Sequence, residues 1–90
     1  MAVTERELEK QLKALANRRR LAILKYLKSK REASVGEIAE EINLSFKSTS
    51  KHLAVLAVLD IVERDQRSLQ MFYRLAASHS AAVRHILSLL

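Results

Sequence analysis

The sequence predicts a mainly α-helical fold with one small β-hairpin, in the order of four helices, two strands and a fifth helix. Three observations carry that prediction. Apolar residues recur at helical spacing through the first two thirds of the chain, the period switches to alternation after Asp60, and a residue able to cap a helix precedes most of the helical runs. With 90 residues, 49% hydrophobic but only 4% aromatic, and neither Trp nor Pro, the chain reads as one domain over 1–90 with a core of Leu, Ile, Val and Ala. A core of that size is marginal alone, and pairing with a second copy is the usual supplement.

Thr4-Glu5-Arg6-Glu7 has the form of a capping box, and Leu8, Leu12 and Leu15 follow it, which predicts a first helix over 4–16. Asn17 breaks that pattern and caps a second helix over 18–31, with Leu21, Ile23, Leu24 and Leu27 on its apolar face. Ser34-Val35-Gly36-Glu37 is another capping box. Val35, Ile38, Ala39 and Ile42 after it define a short third helix over 35–42. Asn43-Leu44 makes a turn, and Ser45 caps a fourth helix to Leu59 with Thr49, Leu53, Leu56 and Ala57 on its inner stripe. Two short helices joined this way have the form of a helix-turn-helix. Ile61-Val62-Glu63-Arg64-Asp65, a turn at Gln66-Arg67-Ser68, and 69–75 read as a hairpin. In its second strand Leu69, Met71, Tyr73 and Leu75 are expected to face the helices. Val83, Ile86, Leu87 and Leu90 form one stripe of a fifth helix. The whole is a winged helix-turn-helix.

The net charge is +6, which points to a polyanionic partner. Its distribution is uneven. Residues 1–16 sum to zero, 17–31 hold seven bases and no acid, and 32–44 hold four acids. A molecule with one basic side fits that alternation better than a basic tail does.

From Leu12 to Leu75 the chain resembles the ArsR-type winged-helix repressors. The resemblance runs through Leu12-Lys13-Ala14-Leu15-Ala16-Asn17, Arg20-Leu21-Ala22-Ile23-Leu24, Glu37-Ile38-Ala39, Leu44-Ser45, Ser50-Lys51-His52-Leu53-Ala54-Val55-Leu56 and Phe72-Tyr73-Arg74-Leu75. It implies a homodimeric repressor whose fourth helix enters the major groove, whose hairpin wing touches flanking DNA and whose terminal helices form the dimer. Three departures stand out. The Cys-containing motif of metal-sensing members is missing at Ala33-Ser34-Val35-Gly36-Glu37. The wing tip Asp65-Gln66-Arg67-Ser68-Leu69 lacks Gly, and so does Ala57-Val58-Leu59-Asp60 after the fourth helix.

With Thr49, Leu53 and Leu56 turned inward, Phe46, Lys47, Ser48, Ser50 and Lys51 are left outward near the start of the fourth helix, where bases are usually read. Arg64 and Arg67 flank the expected wing tip, where a cation reaches a minor groove or a phosphate. Arg18 opens a helix, where positive charge opposes the macrodipole, and a phosphate backbone would offset that; solvation is the plainer account. Leu8, Leu12, Leu15, Val83, Ile86, Leu87 and Leu90 are assigned to a dimer interface, with ordinary packing inside one chain as the other reading.

Cysteine chemistry is excluded, since the chain has no Cys. His52 is expected to pack or bond locally. His79 and His85, six residues apart, would stand roughly 120° apart on a helix and share no face, so no metal or other cofactor is expected. One Gly leaves no phosphate-cradling loop, and the acids do not converge on a catalytic site. The N-terminus shows no secretory signal and no run approaches the ~20 apolar residues of a membrane span. The cytoplasm is therefore the expected location, without membrane contact. The competing reading is a winged-helix module for protein contact, which the lysines of the fourth helix and the wing arginines disfavour. No effector is legible in the sequence.

Overall fold

A computed structural model of the chain describes residues 3–90. Met1 and Ala2, part of the stretch read for a signal, lie outside the described residues. The order is α1 (Glu5–Leu15), α2 (Arg18–Lys30), β1 (Glu32–Ser34), α3 (Val35–Glu41), α4 (Phe46–Val58), β2 (Val62–Arg67), β3 (Gln70–Leu75) and α5 (Ala81–Ser88).

The caps read from the sequence act where expected. Asn17 accepts from the amides of Arg19 and Arg20 at 3.0 and 3.1 Å, and Ser45 accepts from Ser48 at 3.1 Å. At Ser34 the box is reciprocal: its hydroxyl accepts from the Glu37 amide at 3.2 Å while Glu37 accepts from the Ser34 amide at 2.9 Å. These bonds, led by that from the Ser34 backbone, hold the Glu37 carboxyl below its ordinary pKa. At Thr4 only half of the box forms, because the Glu7 carboxylate takes the Thr4 hydroxyl instead of the Thr4 amide.

One core joins every layer. Ile23, Leu24 and Leu27 of α2, Ile38 of α3, Leu53 and Leu56 of α4, and Val62 and Tyr73 of the sheet are buried together. Thr49 is buried with them, and its hydroxyl donates to the Ser45 carbonyl at 2.8 Å, so that hydroxyl is not stranded. Ala57 is only partly buried.

The sheet differs from expectation in two ways. It has three antiparallel strands in the order β1-β3-β2, because Glu32–Ser34 pairs with β3 in the register Glu32 with Arg74 and Ser34 with Phe72. The hairpin turn also lies later than read. β2 pairs with β3 as far as Arg67 with Gln70, which leaves Ser68 and Leu69 as a two-residue loop. Leu69 is 96% exposed rather than facing the helices. Tyr73, with Met71 and Leu75 beside it, does pack on the core.

The missing glycines are explained by other residues in the left-handed region. Asp60 (φ 58°) turns the chain after α4 and Ser68 (φ 56°) turns the hairpin, as two-residue hairpin loops require, while Asn43 (φ 55°) serves the turn between α3 and α4. Gly36 sits in α3, where an added Cβ would meet only the Ser34 hydroxyl at 4.0 Å.

Candidate nucleic-acid interface

The turn between α3 and α4 is held by the Leu44 amide bonded to the Ala39 carbonyl at 3.0 Å, and the Ser45 cap fixes where α4 begins. Burial of Thr49, Leu53 and Leu56 sets the rotation of α4. Phe46, Lys47 and Lys51 are therefore exposed, Phe46 at 62%, and Ser48 and Ser50 are partly exposed beside them. Neither lysine has an acidic partner among the described residues. An exposed Phe between hydroxyls and unpaired cations, at the positive end of a helix, can meet phosphates, base edges and a thymine methyl group.

The hairpin is different. Arg67 donates to both oxygens of Glu32 on β1, at 2.6 and 2.7 Å, and to Asp65 at 3.0 Å, with its guanidinium 4.7 Å from the centre of the Phe72 ring. This fork raises the arginine's pKa further and lowers that of Glu32, in both cases chiefly through the hydrogen bonds between them. Arg74 pairs with Glu63 at 3.1 Å. The outer face of the sheet is thus charged but internally balanced. Arg67, expected to contact DNA, directs three of its donors to acids of its own sheet while its side chain stays about half exposed. Arg64 stays exposed and Arg18 lies exposed at the start of α2.

Arg20 was missed as a structural residue. Its Nε donates to His52 Nδ1 at 3.1 Å and its Nη1 to the Ala14 carbonyl at 3.1 Å, joining α1, α2 and α4. His52 must be neutral to accept, and burial, then the charges of Arg20 and Arg19, hold its pKa below the usual imidazole value. An Arg and a His 32 positions apart carry no local signal of such a bond. His79 precedes α5 rather than lying on it, and bonds the Ile61 carbonyl at 2.9 Å, while His85 is exposed in the last turn. Among the described residues no three His, Cys, Asp or Glu side chains are grouped to hold a metal ion.

The residues assigned to a dimer interface separate into two sets. Leu15, Val83 and Leu87 are buried inside one chain, where α1 and α5 close on α2, so they are corrected to core residues. Leu8, Leu12, Ile86 and Leu90 keep exposed area, Leu12 at 46%, and Leu89, missed before, is exposed next to Leu90. The Ser80 hydroxyl donates to Gln11 at 2.9 Å and ties α5 to α1.

A helix pair joined by a tight turn, backed by three helices and flanked by a three-stranded sheet with a projecting hairpin, defines a winged helix-turn-helix protein. The family described as bacterial regulatory protein, arsR family, matches residues 17–64, from the cap of α2 into β2. The chain is 38% identical over 76 residues to the transcriptional activator HlyU of Vibrio cholerae, an alignment covering 84% of this chain and 69% of HlyU. The solved structure of Vibrio cholerae HlyU superposes with a TM-score of 0.80 at 35% identity over 99% of this chain and 92% of that one. The transcriptional repressor BigR of Xylella fastidiosa gives 0.75 at 32% identity, over 93% and 83%. The homodimeric winged helix-turn-helix DNA-binding domain of Mycobacterium bovis Mb0332 gives 0.77 at 28%, over 99% and 85%. The chain belongs to the ArsR family of winged helix-turn-helix transcriptional regulators. No described helix is long and apolar enough to cross a membrane.

Proposed function

We propose that the chain is a homodimeric repressor that binds duplex DNA sequence-specifically through the N-terminal half of α4 and senses no metal. The observation that carries this is the pair Lys47 and Lys51, exposed without acidic partners among the described residues, on the helix that follows the tight turn. Phe46, Ser48 and Ser50 complete the reading surface, and Arg18 and Arg64 are assigned to phosphates. Arg67 is assigned to the architecture of the wing. Leu8, Leu12, Ile86 and Leu90, with Leu89, are assigned to the contact between copies, a reading supported by the homodimer reported for Mb0332. Repression follows from occupancy, since a dimer seated on a promoter excludes what would otherwise bind there.

Binding-site selection on random duplex tests this reading. A symmetric dimer selects an inverted repeat with half-site centres about 34 Å apart, and sedimentation returns twice the mass of one chain. Selection that returns no enriched sequence, or a monomer at micromolar concentration, would overturn it.

A further inference from the structure

The outward stripe of α4 changes character halfway along. Its first half carries Lys47 and Lys51, and its second half carries Ala54, Val55 and Val58, with Val55 38% and Val58 81% exposed. Beside that apolar half runs a groove whose opposite wall is α1 and the start of α2, where Lys10, Lys13 and Arg20 stand. Aliphatic side chains exposed together rather than singly mark a binding surface. The groove is shallow and open to solvent, with about 740 Å³ along it for a small organic molecule to lie against. Glu9 stands 3.8 Å from Lys13 in a pair exposed on both sides, and Asp60 and Glu63 lie on the far side of Ala54 and Val58, in a neighbouring pocket that those two residues also line.

An apolar wall with a cationic rim complements a ligand of the reverse design. A nucleic-acid backbone supplies anions but little aliphatic body for Val55 and Val58, whereas a hydrocarbon carrying one carboxylate supplies both. We infer that this groove between α1 and the C-terminal half of α4 binds an amphipathic carboxylate, its hydrocarbon on Val55 and Val58 and its head group on Lys10, Lys13 and Arg20. The site is placed to regulate. Arg20 already donates to His52 of α4 and to the Ala14 carbonyl of α1, so a carboxylate arriving on its guanidinium competes with bonds that hold α4 against α1. That regulatory consequence rests on the DNA-binding reading above, while occupancy of the groove does not.

The full chain with labelled methyl groups, free of DNA, is titrated with sodium octanoate and in parallel with 1-octanol. Octanoate shifts the Ala54, Val55 and Val58 methyl signals saturably, and octanol binds about tenfold more weakly or worse. Replacing both lysines, Lys10→Ala with Lys13→Ala, weakens octanoate by about tenfold, as expected for two exposed charge pairs. Val58→Asp, at an exposed position that the core does not use, abolishes binding while thermal unfolding is unchanged. Methyl signals that do not move, octanol binding as tightly as octanoate, or intermolecular contacts showing Val55 and Val58 packed on a second copy would each overturn the proposal. No DNA is present, so a failed titration leaves the DNA-binding reading intact, and failed DNA selection leaves the groove intact.

Discussion

The first half of α4 and the hairpin both carry cations, lysines on the one and arginines on the other, and differ in how those are paired. On α4, Lys47 and Lys51 are exposed and have no acidic partner among the described residues. On the hairpin side, Arg67 is bonded to Glu32 and Asp65, and Arg74 to Glu63. Exposed pairs of this kind contribute only about 0–1 kcal/mol to stability, yet they cancel the field that a phosphate would otherwise meet. A cation therefore helps to bind a polyanion only where the protein has not already supplied its counter-charge. Counting bases along the sequence takes no account of such pairing.

That contrast breaks most visibly on charge reversal. Lys47→Glu with Lys51→Glu is expected to weaken binding to the selected site by two to three orders of magnitude, roughly the effect of losing several cationic contacts per dimer. Fluorescence anisotropy measures it, and a loss smaller than about tenfold would place the lysines away from DNA. Ser45→Ala removes the cap of the same helix and is expected to cost about 1 kcal/mol, read as a lowered Tm.

Burial of His52 beside Arg20 and Arg19 makes the α4 side sensitive to pH. Its folded pKa lies below the unfolded value, so the unfolded chain binds the extra proton first. The stability contribution is complete above about pH 6.5 and is lost as pH falls from there through the folded value. Unfolding temperatures across pH 5 to 8 should show this slope, and His52→Gln should flatten it. On the hairpin side, Glu32→Gln removes half of the counter-charge of Arg67 and is expected to steepen the salt dependence of binding, by at most about 2 for a dimer.

The helices were legible because their signals are local. Each cap and its first-turn partner lie within three residues, and the inner stripe of α4 is a matter of spacing alone. β1 was not legible. Three residues are too short to show alternation, and its partner strand β3 lies some forty positions later. The same distance hid the fork between Glu32 and Arg67, which exists only because β1 and β2 flank β3. Alternation placed Leu69 in a strand, whereas the left-handed Ser68 ends β2 and puts Leu69 in the loop. Helical stripes located Leu8, Leu15, Val83 and Leu90 without saying what covers each one. Leu15 and Val83 are covered by their own chain, and Leu8 and Leu90 are only partly so.

The central claim is that affinity for DNA comes from the unpaired cations of α4 and not from the paired arginine of the wing. The most direct test is the dependence of affinity on salt for the unmodified chain, the Lys47→Ala with Lys51→Ala variant and the Arg67→Ala variant, measured side by side. The account predicts a log-log slope of about −7 for the unmodified dimer, with four cations per subunit, a reduction of about 3 to 4 when the lysines are removed, and no change on removing Arg67. A slope that survives loss of the lysines and collapses on loss of Arg67 would contradict it.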